Sequence, residues 1–282
     1  MSIWNLDNDT LEPGQWINKK VLMRNCDISP SGKYLIYPID NFENSDYRDN
    51  SNNRTAICKP PFWTALTVWE HDHALFDTGG GLFADEKTVL LNLYTTQAHK
   101  EYPVPSDLNV SRFHTRKEYS PWKGHINLLH EHRLEMNGWT EQNDPDFIQK
   151  ETEQLTVKNV SEHWLAIDRR SIEPIVPKLW KKSITNSTAL YMITFYHVEH
   201  RKNVDLFYVG KKDKKTKLKG IKWADIDNRN RIIATMGGKL YASKIATDGS
   251  VDYTNLELLH DLNPLKPKSI LTPLHMKSWD TL

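Results

Sequence analysis

An all-β fold, a single β-propeller over residues 1–282, is the architecture that this sequence predicts. Short apolar runs recur along the chain between Gly, Pro, Asn and Asp residues, and they show no helical period. Ten Trp and eleven Tyr are suited to filling the space between packed sheets. The hairpin spacing favours about five blades, or about six with short loops, and a β-sandwich with long inserts is the alternative fold.

The first part of the chain predicts two hairpin units. In the first unit, residues 21–23 pair with residues 34–37 across a turn that contains Gly32. The strands of the second unit are expected over residues 64–69, 82–84 and 88–93. Between the units, residues 41–54 are rich in Asn, Asp and Ser and predict an exposed, mobile excursion of the chain.

Three consecutive glycines, Gly79, Gly80 and Gly81, precede an apolar run in the second unit. This arrangement predicts a close approach of two backbones, because glycine leaves room where a side chain would collide. A phosphate-binding loop is disfavoured, because no Lys-Ser/Thr pair follows the glycines.

The rest of the chain predicts further extended runs. Asn137 and Gly138 are expected to form a hairpin turn after strands over residues 126–129 and 130–136. Another hairpin is predicted over residues 156–168. The remaining predicted strands cover residues 190–198, 204–209, 221–226, 232–235 and 239–242.

Composition and charge exclude several classes of protein. The net charge is +1, with 37 basic and 36 acidic residues, so the global positive field of a nucleic-acid-binding protein is missing. Cys26 and Cys58 lie too far apart in sequence for a metal knuckle, and we expect reduced, buried thiols. No signal-peptide pattern and no membrane-length apolar run occur, so a cytoplasmic location and no membrane association are expected.

Three parts of the sequence carry a resemblance. They comprise residues 64–69 with 79–83, residues 133–139, and residues 223–227 with 238–241. Together they resemble a group of uncharacterised bacterial proteins with propeller-like sequences. The resemblance implies the fold and a bacterial origin. It implies no activity, cofactor or catalytic residue.

Two histidine doublets are the sharpest candidates for a metal site. His71 and His73, and likewise His130 and His132, would each project from one face of a strand, because side chains alternate along a strand. Two such pairs are suited to zinc, with Asp72 or Glu131 as a further ligand. Acidic neighbours favour solvated surface histidines instead, so the sequence predicts neither a metal nor another cofactor.

Carboxylates give an alternative function, a glycan- or ester-hydrolysing propeller enzyme. Five aspartates lie near predicted hairpins: Asp27, Asp85, Asp168, Asp225 and Asp227. In such enzymes one protonated carboxyl group acts as general acid, and a second, ionised carboxylate acts as nucleophile or base. Aspartates at turns usually bond their own backbone, however, so no catalytic residue is assigned.

A lysine-rich run lies before Trp223. Its basic patch consists of Lys211, Lys212, Lys214, Lys215, Lys217 and Lys219. Lysines contact phosphates and Trp223 would stack on a base, so nucleic-acid binding is a second alternative. Protection of a strand edge from aggregation is the simpler explanation.

The favoured function is a non-enzymatic binding or scaffold protein with a protein partner, and a toxin-neutralising immunity protein is one such class. Long polar insertions over residues 41–58, 97–120 and 170–188 on a rigid frame are typical of recognition. The oligomeric state is not predicted. The candidate partner-binding residues are Trp69, His71, His73, His130, His132, Trp139 and Trp223.

Overall fold

The computed structural model describes residues 1–40, 53–71, 79–113, 128–153, 177–197, 202–245 and 256–280. These residues are predominantly β, with nineteen strands and two α-helices. The predicted hairpin over residues 156–168 and the side chain of His73 lie outside them. The all-β class is therefore confirmed at the level of secondary structure.

The strands are short and most connect to their sequence neighbours. Their bounds are β1 Ser2–Trp4, β2 Leu11–Pro13, β3 Lys20–Val21, β4 Asp27–Ile28, β5 Leu35–Asp40, β6 Asn53–Cys58, β7 Ala65–His71, β8 Gly81–Asp85, β9 Thr88–Leu91, β10 Asn109–Arg112, β11 Thr140–Gln142, β12 Lys178–Ser183, β13 Ala189–His197, β14 Lys202–Lys211, β15 Lys214–Lys217, β16 Trp223–Ile226, β17 Arg231–Met236, β18 Lys239–Lys244 and β19 Glu257–Asp261.

Five sheets contain these strands. Sheet A pairs β1 with β2, and sheet B has the order β3-β5-β6-β7 with β4 also on β5. Sheet C has the order β10-β9-β8, in which β10 runs parallel to β9. Sheets D (β11 to β15) and E (β16 to β19) are antiparallel meanders in sequence order. The meander predicted over residues 221–242 is thus confirmed as the first three strands of sheet E.

Helix α1 spans Leu128–Met136 and helix α2 spans Pro145–Glu153. Helix α1 corrects the strands that the sequence predicted there. Leu, Glu, Arg and Met favour helix in this segment. Gly138 has φ +80° and Trp139 N–H donates to Leu134 O at 2.9 Å, so Asn137 and Gly138 end the helix in a Schellman motif. The prediction of a hairpin turn was wrong because a hairpin turn and a helix C-terminus both place glycine at positive φ, so the Asn-Gly pair fits either one.

All three predicted insertions contain strands instead. β6 occupies the end of the 41–58 insertion, β10 lies within the 97–120 insertion, and β12 occupies part of the 170–188 insertion. The polar residues of β6 predicted a solvent-exposed segment. In the structure, buried polar groups in this strand are hydrogen-bonded, so they do not need water. Thr55 is 0% exposed, and its Oγ1 accepts a hydrogen bond from Gly80 N at 2.8 Å.

Buried side chains form two main cores. One lies in sheets B and C and includes Tyr34, Ile57, Trp69 and Phe83, with Trp279 packed against it from the C-terminal tail. The other joins α1 to sheets D and E. Its buried aliphatic and aromatic members include Leu134, Trp139, Trp180, Leu190, Phe207, Ile232 and Ala234.

Polar contacts connect the sheets in a cyclic order. Arg24, which lies between β3 and β4, joins sheet B to Asp205 of sheet D at 2.6 Å. Lys182 of sheet D contacts Asp225 of sheet E at 2.6 Å. The further contacts of the cycle are Arg231 of sheet E with Asp9 beside sheet A (2.7 Å), and Gln15 after sheet A with Trp63 beside sheet B (2.8 Å).

Neither helix in the described part of the chain is long and apolar enough to span a bilayer. Cys26 and Cys58 are free and buried, as the sequence predicts. Burial raises the pKa of the Cys26 thiol to about 12, so this thiol is protonated and unreactive at neutral pH.

Candidate functional site

The predicted lysine run folds into a tight hairpin between β14 and β15, which we call the lysine hairpin (residues 211–219). Lys211 pairs with Lys214 across a turn made by Lys212 and Asp213. Gly210 makes this turn possible. It has φ +147°, and a Cβ at this position would lie 2.1 Å from the carbonyl oxygen of Lys214.

Helix α2 holds two of these lysines. Lys215 Nζ lies 2.9 Å from Asp144 Oδ2 and 4.2 Å from the ring centre of Phe147, and its side chain is 6% exposed. This hydrogen bond lowers the pKa of Asp144. Lys217 Nζ lies 3.5 Å from Glu151 Oε2. These two lysines therefore attach α2 to sheet D, which is a structural role.

The other lysines of the hairpin face solvent. Lys211, Lys212, Lys214 and Lys219 are exposed, and none of them forms an ion pair within the described residues. Asp213 is the one acidic residue in the segment. The basic patch predicted from sequence thus separates into two structural lysines and a group of four exposed charges.

An apolar groove lies beside the lysine hairpin, between β15 and sheet E. The cavity has a volume of about 470 Å³. Its apolar lining consists of Leu218, Ile221, Ile232, Ala234, Met236 and Leu256. Its polar lining consists of Thr216, Lys217, Lys219, Tyr241 and Ser243. Positive charge at the edge of an apolar surface is suited to a ligand that carries both acidic and apolar groups.

Trp223 lies on the other face of sheet E. It pairs directly with Thr235, while Ala234 and Met236 line the groove. Because neighbouring residues on a strand point to opposite faces, Trp223 does not share the groove with the lysines. It is 43% exposed and stays available for a contact on that other face.

Two predicted partner-binding tryptophans belong to the cores. Trp69 is 0% exposed, and its Nε1 donates to Thr96 O at 3.1 Å. Trp139 is 3% exposed and packs in the core between α1 and sheets D and E. Each occupies the buried face of its segment, so neither presents its ring to a partner in this structure.

The second histidine doublet lies on helix α1, which directs its two side chains to different sides. His130 and His132 point about 200° apart on α1, because an α-helix turns about 100° per residue. His130 is buried against Arg133, with Nδ1 2.9 Å from the guanidinium. Burial, followed by the charges of Arg24 and Arg133, lowers the pKa of His130 to about 2, so it is neutral at physiological pH. His132 is half-buried, and its Nδ1 lies 3.5 Å from Glu135 Oε2.

The first doublet is described only at His71, whose Nε2 lies 3.5 Å from Thr55 Oγ1 at the end of β7. Within the described residues, no group of three or more His, Cys, Asp or Glu side chains is arranged to hold a metal ion. The strand interpretation of His130 and His132 is corrected, and these two side chains cannot chelate one ion together.

The described candidate carboxylates each have their own structural partners. Asp27 accepts Phe83 N–H at 2.9 Å, and burial raises its pKa. Asp85 accepts Lys87 N–H at 2.7 Å, as expected of a turn aspartate. Asp225 pairs with Lys182, and Asp227 binds Arg231. Asp168 lies outside the described residues. These contacts do not bring an acid and a nucleophile together.

Sequence reasoning missed the apolar groove and a second groove lined by aromatic residues on sheet B. Their lining residues come from segments far apart in the chain, and no local pattern signals such surfaces. Residues 232, 234 and 236 are apolar, but Ile233 between them is apolar as well, so the pattern predicts a buried strand rather than a groove.

Comparison with known proteins assigns no family: no family model, curated protein or solved structure matches this chain.

Proposed function

We propose that the protein is a non-enzymatic binding protein that engages an acidic segment of a protein partner through the lysine hairpin and the apolar groove. The observation that carries the proposal is an apolar cavity of about 470 Å³ whose lining includes the exposed Lys219. The exposed Lys211, Lys212 and Lys214 lie at the tip of the same hairpin, and none of these four lysines forms an ion pair in the described part of the chain. The lysines would attract the partner and orient it. Apolar side chains of the partner would supply the buried area.

The size of the surface favours an extended segment rather than a small ion. The exposed Lys214 begins β15, which extends about 10 Å to its last residue at the usual rise of a strand, and the exposed Lys219 follows two residues later. The groove continues from Lys217 to Leu256, the residue immediately before β19. An extended peptide with alternating acidic and apolar residues would place its carboxylates at the lysines and its apolar side chains in the groove.

We further propose that the sheets are arranged radially, as in a β-propeller of about five blades. The cyclic order of contacts through four of the five sheets, from B through D, E and A back to B, supports this arrangement, while sheet C shares a core with sheet B. So do the antiparallel meanders of sheets D and E. The parallel strand β10 in sheet C departs from a regular blade. Such a frame would hold the lysine hairpin rigidly.

The experiment uses the full chain and a labelled probe peptide of about 12 residues that alternates Glu and Leu, measured by fluorescence anisotropy. A Glu/Ser peptide of equal charge tests the groove, and a single-stranded oligonucleotide tests the phosphate alternative. We expect the Glu/Leu peptide to bind most tightly, with an affinity that falls as salt rises. Replacing Lys211, Lys212 and Lys214 by Gln should weaken binding about tenfold.

The control variant has the same change in net charge. It replaces Lys266, Lys268 and Lys277, which are exposed residues of the C-terminal tail, by Gln. Leu256→Gln should weaken binding of the Glu/Leu peptide and leave the affinity for the Glu/Ser peptide unchanged. Equal loss in both triple variants would contradict the proposal. Tighter binding of the oligonucleotide, lost in the hairpin variant, would establish nucleic-acid binding instead.

A further inference from the structure

A second groove lies on sheet B, remote in sequence from the lysine hairpin. Its cavity has a volume of about 370 Å³ and opens between the face of β5, β6 and β7 and the segment 99–102. Ala56 and Val68 form part of a buried apolar floor. We call this cavity the aromatic groove, because Tyr37, Trp63 and Tyr102 line it.

The aromatic lining is held in place by hydrogen bonds. Trp63 and Tyr37 pack edge to face, with ring centres 4.8 Å apart at 71°. Tyr37 Oη donates to Trp63 O at 2.8 Å, and Trp63 Nε1 donates to Gln15 O at 3.1 Å. The indole therefore keeps its orientation before any ligand arrives. Tyr102, which is 40% exposed, provides a second accessible ring.

The segment that carries Tyr102 is fixed to the edge of β7. His99 N–H donates to Val68 O at 2.8 Å, and Thr67 Oγ1 donates to Pro103 O at 2.9 Å. The ring of His99 packs on Tyr102, with centres 5.9 Å apart. Both sides of the groove are thus preorganised, which reduces the entropy that a ligand must lose on binding.

The Arg and Glu side chains that line the groove carry one more negative charge than positive charge. Arg54 is paired with Glu70 at 3.2 Å. Glu101 is exposed and forms no ion pair within the described residues. These three charged residues therefore sum to −1, and the unpaired charge lies beside Tyr102 in sequence.

We propose that the aromatic groove binds a small organic cation, a quaternary ammonium or a methylated amine. The faces of aromatic rings attract cations that are only weakly hydrated, and Trp provides the strongest such interaction. Glu101 supplies a countercharge, while the apolar floor accommodates methyl groups. An anion would meet the repulsion of Glu101, and a neutral ligand would gain nothing from it. The proposal stands independently of the lysine hairpin.

Two sources share this chemistry, a free metabolite with a choline-like head and a trimethylated lysine side chain of another protein. The assay is calorimetric titration of the full chain with choline and, separately, with a short peptide that contains trimethyl-lysine. 3,3-Dimethylbutan-1-ol, the uncharged isostere of choline, is the neutral control, and the unmethylated peptide is the control for the peptide. We expect each cation to bind about threefold to thirtyfold more tightly than its control.

Variants with opposite expected signs test the roles of the side chains. Trp63→Leu and Glu101→Gln should each weaken choline binding severalfold. Arg54→Gln should strengthen it about threefold, because it frees the carboxylate of Glu70. Glu257→Gln, which neutralises an exposed glutamate on β19, is the matched control and should change nothing.

Equal affinity for choline and its neutral isostere would overturn the proposal, and so would absence of binding by both cations. A Glu101→Gln variant with unchanged affinity would also overturn it. Thermal unfolding of each variant checks that the fold is intact. The two surface variants, at Arg54 and Glu101, keep the test valid should Trp63→Leu fail to fold.

Discussion

Asp9 joins the N-terminal hairpin to sheet E. Its carboxylate accepts hydrogen bonds from Arg231 at 2.7 and 2.8 Å and from Arg229 at 2.8 Å. Arg231 is 6% exposed in its side chain and also binds the fully buried carboxylate of Asp227. The hydrogen bonds from Arg231, followed by those from Arg229, lower the pKa of Asp9 to about 2. Asp9 therefore forms an ion pair of low solvent exposure. Removing its negative charge leaves the positive charge of Arg231 only partly compensated.

Asp9→Asn should destabilise the protein by about 1–2 kcal/mol at neutral pH. Asparagine also tolerates the positive φ of 59° at this position, so the change tests the charge rather than the backbone. Because the folded pKa lies below the unfolded one, the contribution is complete above about pH 4. It disappears as the pH falls through about 2. Urea unfolding of both proteins at pH 7 and near pH 2 measures this difference.

Asp7→Asn is the control for this prediction, because Asp7 is exposed in the same hairpin. A stability difference between the wild type and Asp9→Asn that stays constant down to pH 2 would contradict the electrostatic explanation.

At the scale of elements, α2 depends on the lysine hairpin for its position. Asp144 caps the helix, since its Oδ1 accepts Phe147 N–H at 3.3 Å, and it also pairs with Lys215. Proline at the first helical position, Pro145, suits a helix start because no N–H is required there. Tyr208 Oη donates to Glu151 at 2.8 Å further along the helix. Sheet D thus holds α2 at both ends.

Lys215→Ala should release the first turn of α2 and lower stability by about 1–2 kcal/mol. The change removes the ion pair of a nearly buried lysine with Asp144 and the contact of its ammonium group with the ring of Phe147. Hydrogen exchange of the α2 amides should become faster, while the amides of sheet E stay protected.

Lys214→Ala, one residue away and exposed, is the comparison variant. If it accelerates exchange in α2 as much as Lys215→Ala does, Lys215 has no special role in docking this helix.

At the scale of the whole molecule, the C-terminal tail packs against the core in sheets B and C. Trp279 packs on Tyr34, with ring centres 4.6 Å apart, and its Nε1 donates to Thr67 at 3.3 Å. Asp280 pairs with Lys59 at 2.7 Å. Since the tail follows sheet E, these contacts link the last sheet to sheet B in addition to the cycle of contacts through sheet A.

Trp279→Ala should destabilise the whole fold by about 2 kcal/mol, because it removes an aromatic side chain that is partly buried in the core. Fluorescence and circular dichroism should report the same urea midpoint, as expected when the sheets unfold together. Leu274→Ala, at a site that is 84% exposed in the same tail, should have little effect. Two separate transitions in the wild type would show that the sheets are independent.

Strand positions were largely predictable, because apolar patterning and turn residues are local signals. The strands over 65–71, 88–91 and 231–236 agree with the predictions to within a few residues. Close backbone contact at the glycine triplet was also predictable. A Cβ on Gly80 would lie 1.9 Å from the carbonyl oxygen of Asn25, so only glycine fits there.

The candidate site was only half predictable. The sequence located the basic charges and Trp223, but it could not distinguish Lys215, held by Asp144, from Lys214 in solvent. It placed Trp69 on a surface because an aromatic residue suits a core and an interface equally well. Helix α1 was missed because the Asn-Gly signal at 137–138 marks both a hairpin turn and a helix end.

The sequence by itself determined that the chain forms short strands joined by tight turns. It also determined where glycines are required and which segment carries a high density of positive charge. These properties depend on each residue and its near neighbours. Tertiary structure alone decided which lysines are neutralised, which aromatic rings are buried and where the two grooves lie. Those outcomes depend on atoms far apart in the chain, such as Trp63 with Gln15 and Lys217 with Tyr241, that only folding brings together.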